Sequence, residues 1–406
     1  MERRVVITGL GIWSCLGTSL DEVRQSLYSG KSGIIFSQAR KDAGFRSALC
    51  ADVPKADLKK YLSRDLRKLM PEEAQYGYLA TIQAMEHAKL DQDFLDQNEV
   101  GVIYGNDSVA EATMQALDKF RQAGSTAACG SGAIFQSMNS TVTMNLATLL
   151  HLRGINLTAS AACASGSHSV GLGYLLIKDG LQDCIICGGA QEANMFSVAS
   201  FDGLMAFSTR EDEPTKASRP FDRDRDGLIP GGGAATLVLE SYEHAVKRGA
   251  PILAEIVGWG FSGNGDHIST PNVAGPTRSL ELCLKNGGIN PRDIGYINAH
   301  ATSTHAGDGR EALAIANIFG DYRVPVTSTK SQTGHEMWMA GASELIYSLL
   351  MMKNDFIAGS LNFENPDDDT ACINVIPETR EAHFDMFLSN SFGFGGTNSS
   401  LIIKNL

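Results

Sequence analysis

Two stretches of the sequence share one order of residue types: Asn156-Leu-Thr-Ala-Ser-Ala-Ala-Cys-Ala-Ser-Gly-Ser167 and Pro325-Val-Thr-Ser-Thr-Lys-Ser-Gln-Thr-Gly-His335. Each begins with residues that favour a strand and continues into a tight turn of small residues. A helical pattern follows each turn, to about residue 177 in the first stretch and to about residue 352 in the second. The two stretches therefore predict one strand–turn–helix unit that occurs twice.

The repeat extends along the whole chain. Residues 4–12 correspond to 253–261, residues 100–106 to 294–300, and residues 183–189 to 387–396. Because strands alternate with helices, we predict an α/β fold of two similar halves, residues 1–250 and 251–406, related by a pseudo-twofold axis. Segments 105–150 and 194–230 are predicted insertions in the first half. The site is expected where the strand-to-helix turns of the two halves meet.

The composition excludes several classes of protein. A net charge of −12 argues against bulk binding to nucleic acid, which needs a basic surface. No apolar run suggests a signal peptide or a membrane span, so we expect no membrane association and a cytoplasmic location. Eight scattered Cys residues are too sparse for a disulfide scaffold. Cys184 and Cys187 form a CxxC in an apolar strand and are expected to be buried rather than to bind zinc.

Cys163 is the candidate nucleophile. It lies in the turn before a predicted helix, where the positive end of the helix dipole favours a thiolate. Its small neighbours, such as Ala162 and Ala164, allow the sharp bend of a nucleophile elbow and the approach of a substrate. A small buried structural Cys is the alternative, and the turn alone does not distinguish the two.

Two histidines and a glycine-rich segment favour catalysis. His300 follows a predicted strand, and His335 lies in the turn that corresponds to the Cys163 turn. Each alone could be a structural His, but both lie at carboxyl ends of predicted strands, where α/β sheets place their sites. In Asn390–Asn398, glycines flank Phe394, so the backbone can present N–H groups to an oxyanion or Phe394 can move as a gate. A plain turn is the alternative for this segment.

These segments, with Asn298–Thr304 and Thr329-Lys-Ser-Gln-Thr-Gly-His335, resemble the elongating β-ketoacyl-acyl-carrier-protein synthases of bacterial type II fatty-acid synthesis. The resemblance covers essentially the whole chain. It implies a thiolase-like fold with a layered α-β-α-β-α core, and a homodimer or a heterodimer with a related subunit. It also implies an acyltransferase that condenses an acyl thioester, held on Cys163, with malonyl-acyl-carrier protein. The chain would be extended by two carbons with loss of CO₂.

The resemblance also implies roles for individual residues. The catalytic triad and its supports would be Cys163, His300, His335, Lys330 and Glu311. The oxyanion hole would consist of the backbone N–H groups of Cys163 and Phe394. The substrate and the phosphopantetheine arm would be contacted by Phe392, Thr302 and Thr304.

The chemistry requires these residue types independently. A thiolate accepts the acyl chain as a thioester. When a malonyl thioester loses CO₂, the enolate oxygen needs hydrogen-bond donors, which two neutral imidazoles supply. We expect no metal and no redox cofactor, because the phosphopantetheine arm arrives on the carrier protein.

Two other motifs are expected to be coincidental. Gly9-Leu-Gly-Ile-Trp-Ser14 resembles a dinucleotide-binding GxGxxG, but it ends in Ser and no acidic residue follows at the required distance. Asp222-Arg-Asp-Arg-Asp-Gly227 begins like a calcium loop, but its twelfth position is Gly233 rather than Glu. We expect a charged loop near the site instead.

Two positions depart from the family pattern. Ala301 and Trp338 stand where elongating synthases usually have Gly. We expect Trp338, early in the helix after His335, to bind substrate and to reshape the acyl pocket in favour of planar unsaturated chains. A synthase of an aryl-polyene or flexirubin-type pathway is therefore an alternative to fatty-acid elongation. Core packing of Trp338 is the other interpretation.

Related proteins of other function fit less well. A non-condensing chain-length-factor subunit would lack the nucleophilic Cys. A degradative thiolase would have a second Cys in the segment 389–398, and an initiating synthase would have Asn in place of His335.

The carrier protein of this family is acidic, so a chain of net charge −12 needs a local basic patch to bind it. Solvated helix faces are the alternative interpretation of such patches. The first candidate patch is Arg64, Arg67 and Lys68, and the second is Lys119 and Arg121.

Overall fold

The computed structural model describes residues 3–406. The strands are β1 Val5–Trp13, β2 Ile34–Phe36, β3 Leu49–Ala51, β4 Val100–Gly105, β5 Asn156–Ala159, β6 Cys184–Gln191, β7 Gly233–Ser241, β8 Ala254–Gly263, β9 Tyr296–Asn298, β10 Pro325–Thr327, β11 Phe356–Ile357, β12 Asn374–Val375, β13 Arg380–Glu381, β14 Met386–Gly393 and β15 Thr397–Lys404. The helices are α1 Leu20–Ser29, α2 Gln38–Asp42, α3 Arg64–Arg67, α4 Glu72–Ala88, α5 Gln92–Gln97, α6 Glu111–Ala123, α7 Ala133–Ser137, α8 Thr141–Leu150, α9 Ser165–Lys178, α10 Ala199–Gly203, α11 Tyr242–Arg248, α12 Ala274–Gly287, α13 His305–Phe319, α14 Lys330–Thr333 and α15 Ala340–Lys353.

An 11-stranded arrangement forms the centre, in the order β12-β10-β9-β14-β15-β8-β1-β7-β6-β4-β5. A short antiparallel ladder between β1 and β8, from Val5–Ile256 to Ile7–Ala254, joins its two parts. One part has the order β5-β4-β6-β7-β1 and the other β10-β9-β14-β15-β8, with the same parallel and antiparallel neighbours. The predicted pair of similar α/β halves is therefore present. The boundary at residue 250 stays a prediction.

Helices arrange the two parts of the sheet into layers. α9 and α15 pack on each other and lie between β6 and β7 on one side and β14 and β15 on the other. α4 covers the outer face of β1 and β7, and α12 covers the outer face of β8 and β15. This is the expected α-β-α-β-α layering. Every residue of β6 is buried, as required of a strand covered on both faces.

The starts of the two central helices touch. A Cβ atom on Gly341 of α15 would lie 2.4 Å from the backbone N of Ser167 in α9. A Cβ atom on Gly166 would lie 2.9 Å from the carbonyl oxygen of Trp338. Because both positions are glycine, the turns that precede these helices come together at the centre of the molecule.

The longer first half carries extra segments. Helices α6, α7 and α8 lie between β4 and β5, and α10 lies between β6 and β7. The corresponding connections of the second half contain only α13 and the short turn Phe394–Gly396. Within residues 3–406, none of the helices has the length and apolar character to cross a membrane.

The glycines of the GxG motif serve packing. A Cβ atom on Gly9 or Gly11 would lie 2.2 or 1.9 Å from carbonyl oxygens of Ala84 and Ala80 in α4. The motif therefore allows close contact between β1 and α4, rather than the approach of a dinucleotide.

The CxxC pair is divided between two faces of β6. Cys187 belongs to the apolar cluster around α9 and α15, whereas Cys184 belongs to the cluster around α4. Both thiols are buried and free. Two side chains on opposite faces of one strand cannot share a zinc ion, so this pair is structural.

Candidate active site

Cys163 lies in a tight, strained turn between β5 and α9. The preceding residue, Ala162, has a left-handed φ of +45°, which is unfavourable for any residue but glycine. The Ser165 hydroxyl stabilises the turn: it accepts from the N–H of Ala161 at 2.8 Å and donates to the carbonyl of Ala162 at 2.6 Å. This is the geometry of a nucleophile elbow with Cys as the central residue.

The two halves bring Cys163, His300 and His335 together. The Cys163 sulfur and a ring nitrogen of each histidine all lie within 4.8 Å of one another, and all three side chains are buried. The imidazole centroids are 5.3 Å apart, with their planes at 85°. His300 follows β9, and His335 follows α14. The structure thus brings together the three side chains that the sequence singles out.

The resting state of Cys163 differs from the prediction. Burial raises the pKa of its thiol to about 12, although Lys330 and the N–H groups of Cys163 and Phe394 act in the opposite direction. The expected thiolate is therefore wrong for the free protein, because loss of hydration outweighs the helix dipole. The two N–H groups nevertheless both face the sulfur, as the donors of an oxyanion hole must.

Both histidines are neutral. Burial, followed by the positive charge of Lys330, holds the pKa of His335 well below its usual range, and the same effects act on His300. Among the described residues, no group bonds to either ring nitrogen of His335 or to Nδ1 of His300. A neutral imidazole with an unfilled N–H can donate to a substrate oxygen.

Lys330 forms a buried ion pair with Glu344, a residue that sequence analysis missed. Burial raises the pKa of Glu344 to about 7, and the ammonium opposes this. Lys330 therefore acts on the histidines through its charge and makes no hydrogen bond to either ring. Glu344 follows Lys330 by fourteen residues, on the far side of a turn, and no spacing rule indicates the pair.

Glu311 holds the backbone rather than a ring. Its oxygens accept from the N–H groups of His300 at 2.9 Å and Ala301 at 2.7 Å. The Asn390 amide donates to the same carboxylate at 3.0 Å. Burial raises the pKa of Glu311 to about 7. Glu311 thus ties the His300 loop to the segment that carries Phe394.

A cavity of about 390 Å³ reaches the triad. The Phe392 ring lies 6.1 Å from His300, and the Phe394 ring stacks on Phe201 at 6.0 Å. The predicted site residues that line the cavity are Cys163, His300, Ala301, Thr302, Thr304, Glu311, His335, Phe392 and Phe394. A second wall, which the sequence did not indicate, is the loop of residues 267–272.

Trp338 does not line this cavity. Trp338 was predicted to lie in the helix after His335. It belongs instead to the 3₁₀ turn Met337–Met339, which precedes α15. Its ring is buried in an apolar cluster with Cys163 and lies 6.3 Å from Phe201. Its Nε1 has no hydrogen-bond partner among the described residues. Trp338 thus packs beside the nucleophile.

The charged loop at Asp222 supports the cavity wall. Arg225, fully enclosed, donates to the carbonyl oxygens of Thr304 at 3.1 Å and His305 at 3.0 Å. Asp222 accepts from the N–H groups of Asp224, Glu364 and Asn365. The loop therefore fixes Thr304 beside the cavity, and the Asp222 carboxylate is occupied by backbone donors.

The first basic patch lies apart from the cavity. Arg64, Arg67 and Lys68 line a surface cleft of about 500 Å³ together with Lys55 and Lys59. None of the five lines the cavity at Cys163. The second patch, Lys119 and Arg121, is on α6, where Arg121 pairs with Asp118 at 3.5 Å.

Comparison with known proteins identifies the family. The β-ketoacyl synthase N-terminal domain matches residues 2–245, and the β-ketoacyl synthase C-terminal domain matches residues 253–364. The chain belongs to the β-ketoacyl synthase family. It is 41% identical, over 99% of both chains, to 3-oxoacyl-[acyl-carrier-protein] synthase 1 of Haemophilus influenzae. It is 39% identical to the synthase of the same name from Escherichia coli K12, over 100% of this chain and 99% of the relative.

Solved structures agree with this family. A β-ketoacyl synthase from Burkholderia phymatum STM815 superimposes with a TM-score of 0.95 at 37% identity, and covers 100% of both chains. The ishigamide ketosynthase/chain length factor superimposes with a TM-score of 0.92 at 31% identity, also over 100% of both chains. The thiolase-like fold and the condensing, acyltransferase activity predicted for this β-ketoacyl synthase are confirmed.

Proposed function

We propose that this β-ketoacyl synthase uses Cys163 to hold an acyl chain and condenses it with malonyl-acyl-carrier protein, extending the chain by two carbons. One observation carries the assignment of roles. A thiol, two neutral imidazoles and two backbone N–H groups converge on one point at the end of a 390 Å³ cavity. No single half of the fold supplies all of them.

Acyl transfer is the first step. Because the resting thiol is neutral, its proton must leave before the sulfur attacks, and a neutral imidazole within 4.8 Å can accept it. The sulfur then adds to the thioester carbonyl, and the N–H groups of Cys163 and Phe394 bind the oxyanion. The phosphopantetheine thiol leaves with the proton, so the acyl group becomes a thioester of Cys163.

Decarboxylation and condensation follow. The malonyl carboxylate leaves as CO₂, and its electron pair passes to the thioester carbonyl, whose oxygen accepts hydrogen bonds from His300 and His335. The enolate carbon then attacks the acyl carbonyl on Cys163, whose oxyanion accepts from the N–H groups of Cys163 and Phe394, and the sulfur leaves as a thiolate that takes up one proton from solvent. In this scheme Lys330 keeps both imidazoles neutral, and Glu311 positions the backbone of His300.

The same three side chains could in principle ligate zinc, since a thiolate and two imidazoles are zinc ligands. We assign them to acyl transfer for two reasons. Two backbone N–H groups face the sulfur, which a metal centre does not require, and the buried ammonium of Lys330 disfavours a cation. The proposal therefore includes no metal or redox cofactor.

The proposed partner is an acyl carrier protein. The names of the synthases from Haemophilus influenzae and Escherichia coli include the acyl carrier protein. The cleft at Arg64, Arg67 and Lys68 offers the positive charge that an acidic partner needs. Thr302 and Thr304 would then contact the phosphopantetheine arm in the cavity. We place this reaction in the cytoplasm.

A second subunit is also part of the proposal. β5 is an edge strand of the central arrangement, and its residue Leu157 is 42% exposed. No residue of helix α6 is buried, and its Met114, Leu117 and Phe120 are exposed. An unpaired edge and an apolar helix face suit either a second copy or a related synthase subunit.

An aryl-polyene or flexirubin-type pathway is the second candidate. The observation that favours it is the aromatic lining of the cavity: Phe201 and Phe394 both line it and stack at 6.0 Å, and Trp338, outside the lining, supports Phe201 at 6.3 Å. Planar conjugated chains pack well on such surfaces. A non-condensing chain-length-factor role is disfavoured, because Cys163 and both histidines form a complete set.

A condensation assay tests the proposed function. Acyl- and malonyl-carrier proteins are mixed with the enzyme, and both the 3-oxoacyl product and CO₂ are measured. We expect the 3-oxoacyl product and CO₂ in equal amounts from the native protein. We expect neither from the double variant that combines Cys163→Ser and His335→Ala. Absence of a condensation product from the native protein, with either a saturated or a polyene primer, would overturn it.

A further inference from the structure

We propose that Asp107 is a positioning residue for the acyl-transfer step, because its carboxylate fixes the turn that presents Cys163. The inference rests on the proposed function. It concerns how the turn holds Cys163 in position, and it takes the identity of Cys163 as the nucleophile from the proposed function.

Asp107 reaches the nucleophile turn from another strand. It lies two residues beyond the end of β4, and its Oδ2 accepts from the N–H of Ala162 at 3.2 Å. The side chain is half-buried and does not line the main cavity. Its contact with the site is therefore made through the backbone of the turn.

The bonded N–H belongs to the one strained residue of the turn. Ala162 has φ +45°, a conformation that a residue with a Cβ atom rarely adopts without support. Its carbonyl is already held by Ser165, so the Asp107 bond fixes the other end of the same residue. With both ends fixed, the next peptide, which carries the N–H of Cys163, has a defined direction.

A small polar network holds Asp107 itself in place. Asn139 donates to the carbonyl of Asp107 at 2.8 Å and to the Ser160 hydroxyl at 3.3 Å. The Ser160 hydroxyl donates to the carbonyl of Asn106 at 3.3 Å. The end of β4 and the nucleophile turn are thus joined side by side.

The direction of the Cys163 N–H matters when the acyl carbonyl is attacked, in acyl transfer and in condensation, but not in malonyl decarboxylation. It faces the sulfur and belongs to the oxyanion site used in acyl transfer. Malonyl decarboxylation uses His300 and His335, which lie on the other half of the fold. Loss of the Asp107 bond should therefore slow acyl transfer selectively.

Charge gives a second, opposite effect. The Asp107 carboxylate is one of the groups that raise the pKa of the Cys163 thiol. Removing it should leave alkylation of Cys163 by iodoacetamide at least as fast as in the wild type. A variant that only loosened the fold would also slow malonyl decarboxylation, so an unchanged decarboxylation rate separates loss of the Asp107 bond from general loosening.

The test compares Asp107→Ala with Asp107→Asn. For the Ala variant we expect acyl transfer to Cys163 in a single turnover to fall about 10-fold or more, the scale of a misplaced reacting group. Decarboxylation of malonyl-carrier protein should stay within about twofold, as expected when its donors are unchanged. The Asn variant keeps an acceptor oxygen and should restore acyl transfer.

Asp91→Ala is the matched control. It removes another carboxylate that accepts a backbone N–H, that of Phe94 at the start of α5, and it is not part of the cavity wall. If Asp107→Ala does not fold, Asp107→Ser, whose shorter side chain falls short of the N–H, replaces it with the same expectations. Wild-type acyl transfer in the Ala or Ser variant, or parallel losses in acyl transfer and decarboxylation, would overturn the inference. Absence of acyl transfer in the wild-type protein would instead contradict the proposed function, so the two failures are distinguishable.

Discussion

Trp338 occupies in the second half the position that Cys163 occupies in the first. Each lies two residues before its central helix, and each follows a left-handed residue, Ala162 at φ +45° and Met337 at φ +46°. Both side chains belong to the same apolar cluster. One elbow presents the nucleophile, and the other places an indole beside it.

Replacement of Trp338 by Gly should change acyl selectivity. Removing the indole opens space next to Cys163, so flexible saturated chains should load onto Cys163 relatively faster than planar unsaturated ones. Because the ring is buried, the change should also destabilise the protein by about 3–5 kcal/mol. The measurement is competitive loading of saturated and polyene acyl-carrier thioesters, with Trp338→Phe as the control that keeps a ring. Unchanged relative loading rates would make Trp338 purely structural.

The histidines should be needed mainly for decarboxylation. His300→Ala and His335→Ala each remove an oxyanion donor, so malonyl decarboxylation should fall by about 10²-fold or more, and acyl transfer should fall less. Release of CO₂ from malonyl-carrier protein measures this step alone. His383→Ala, on the exposed surface, is the control. Full decarboxylation by both site variants would refute the role.

The two histidines should also stay neutral in mild acid. Their pKa values lie well below the usual range, because burial and Lys330 disfavour the charged form. Titration of the imidazole resonances of the Cys163→Ala variant by NMR should therefore show both rings neutral from about pH 8 to about pH 6, whereas an ordinary His of pKa about 6.5 would be mostly protonated at the lower limit. Protonation of either ring with a midpoint near pH 6.5 would contradict this prediction.

Alkylation of Cys163 should depend steeply on pH. With its pKa raised to about 12, the thiolate fraction is small at neutral pH. Because that fraction grows about tenfold per pH unit below the pKa, the rate of iodoacetamide labelling should rise by about 100-fold between about pH 7 and 9. Cys163→Ser identifies labelling at other thiols. A plateau near pH 7 would show that the resting group is a thiolate.

Where local pattern determines position, the sequence predicts the structure. Strand periodicity and repeated turns predict the matching halves, and Cys163, His300 and His335 meet because the two halves pack with the segments that follow β5, β9 and β10 near the starts of α9 and α15. The prediction fails where a property depends on how completely a side chain is removed from water. The thiol was expected to ionise, but only the folded structure shows how completely it is removed from water.

Two further differences between the prediction and the structure also depend on the folded chain rather than on local sequence. The short helix α14 adds residues before the second turn, so Trp338 rather than His335 aligns with Cys163. The partner of Lys330, Glu344, lies on α15, whose direction relative to Lys330 is set by packing between the halves. Neither follows from spacing along the chain.

The basic cleft should influence binding of the carrier protein. Reversal of Arg67 and Lys68 to Glu should raise KM for carrier-bound substrate by about fivefold or more and weaken its salt dependence, because charges that steer an acidic partner are lost. KM for the free pantetheine thioester should not change. Reversal of Lys119 and Arg121 tests the second patch in the same assay. Unchanged kinetics across salt concentrations would remove the cleft from the interface.

The most direct test of the central claim is mass spectrometry of the protein during one turnover. After addition of an acyl-carrier thioester, the account predicts one acyl group per chain, located on the peptide that contains Cys163 and absent from Cys163→Ala. Addition of malonyl-carrier protein should then remove the adduct and release an equal amount of CO₂. A stable acyl adduct on any other cysteine, or condensation by Cys163→Ala, would contradict the account.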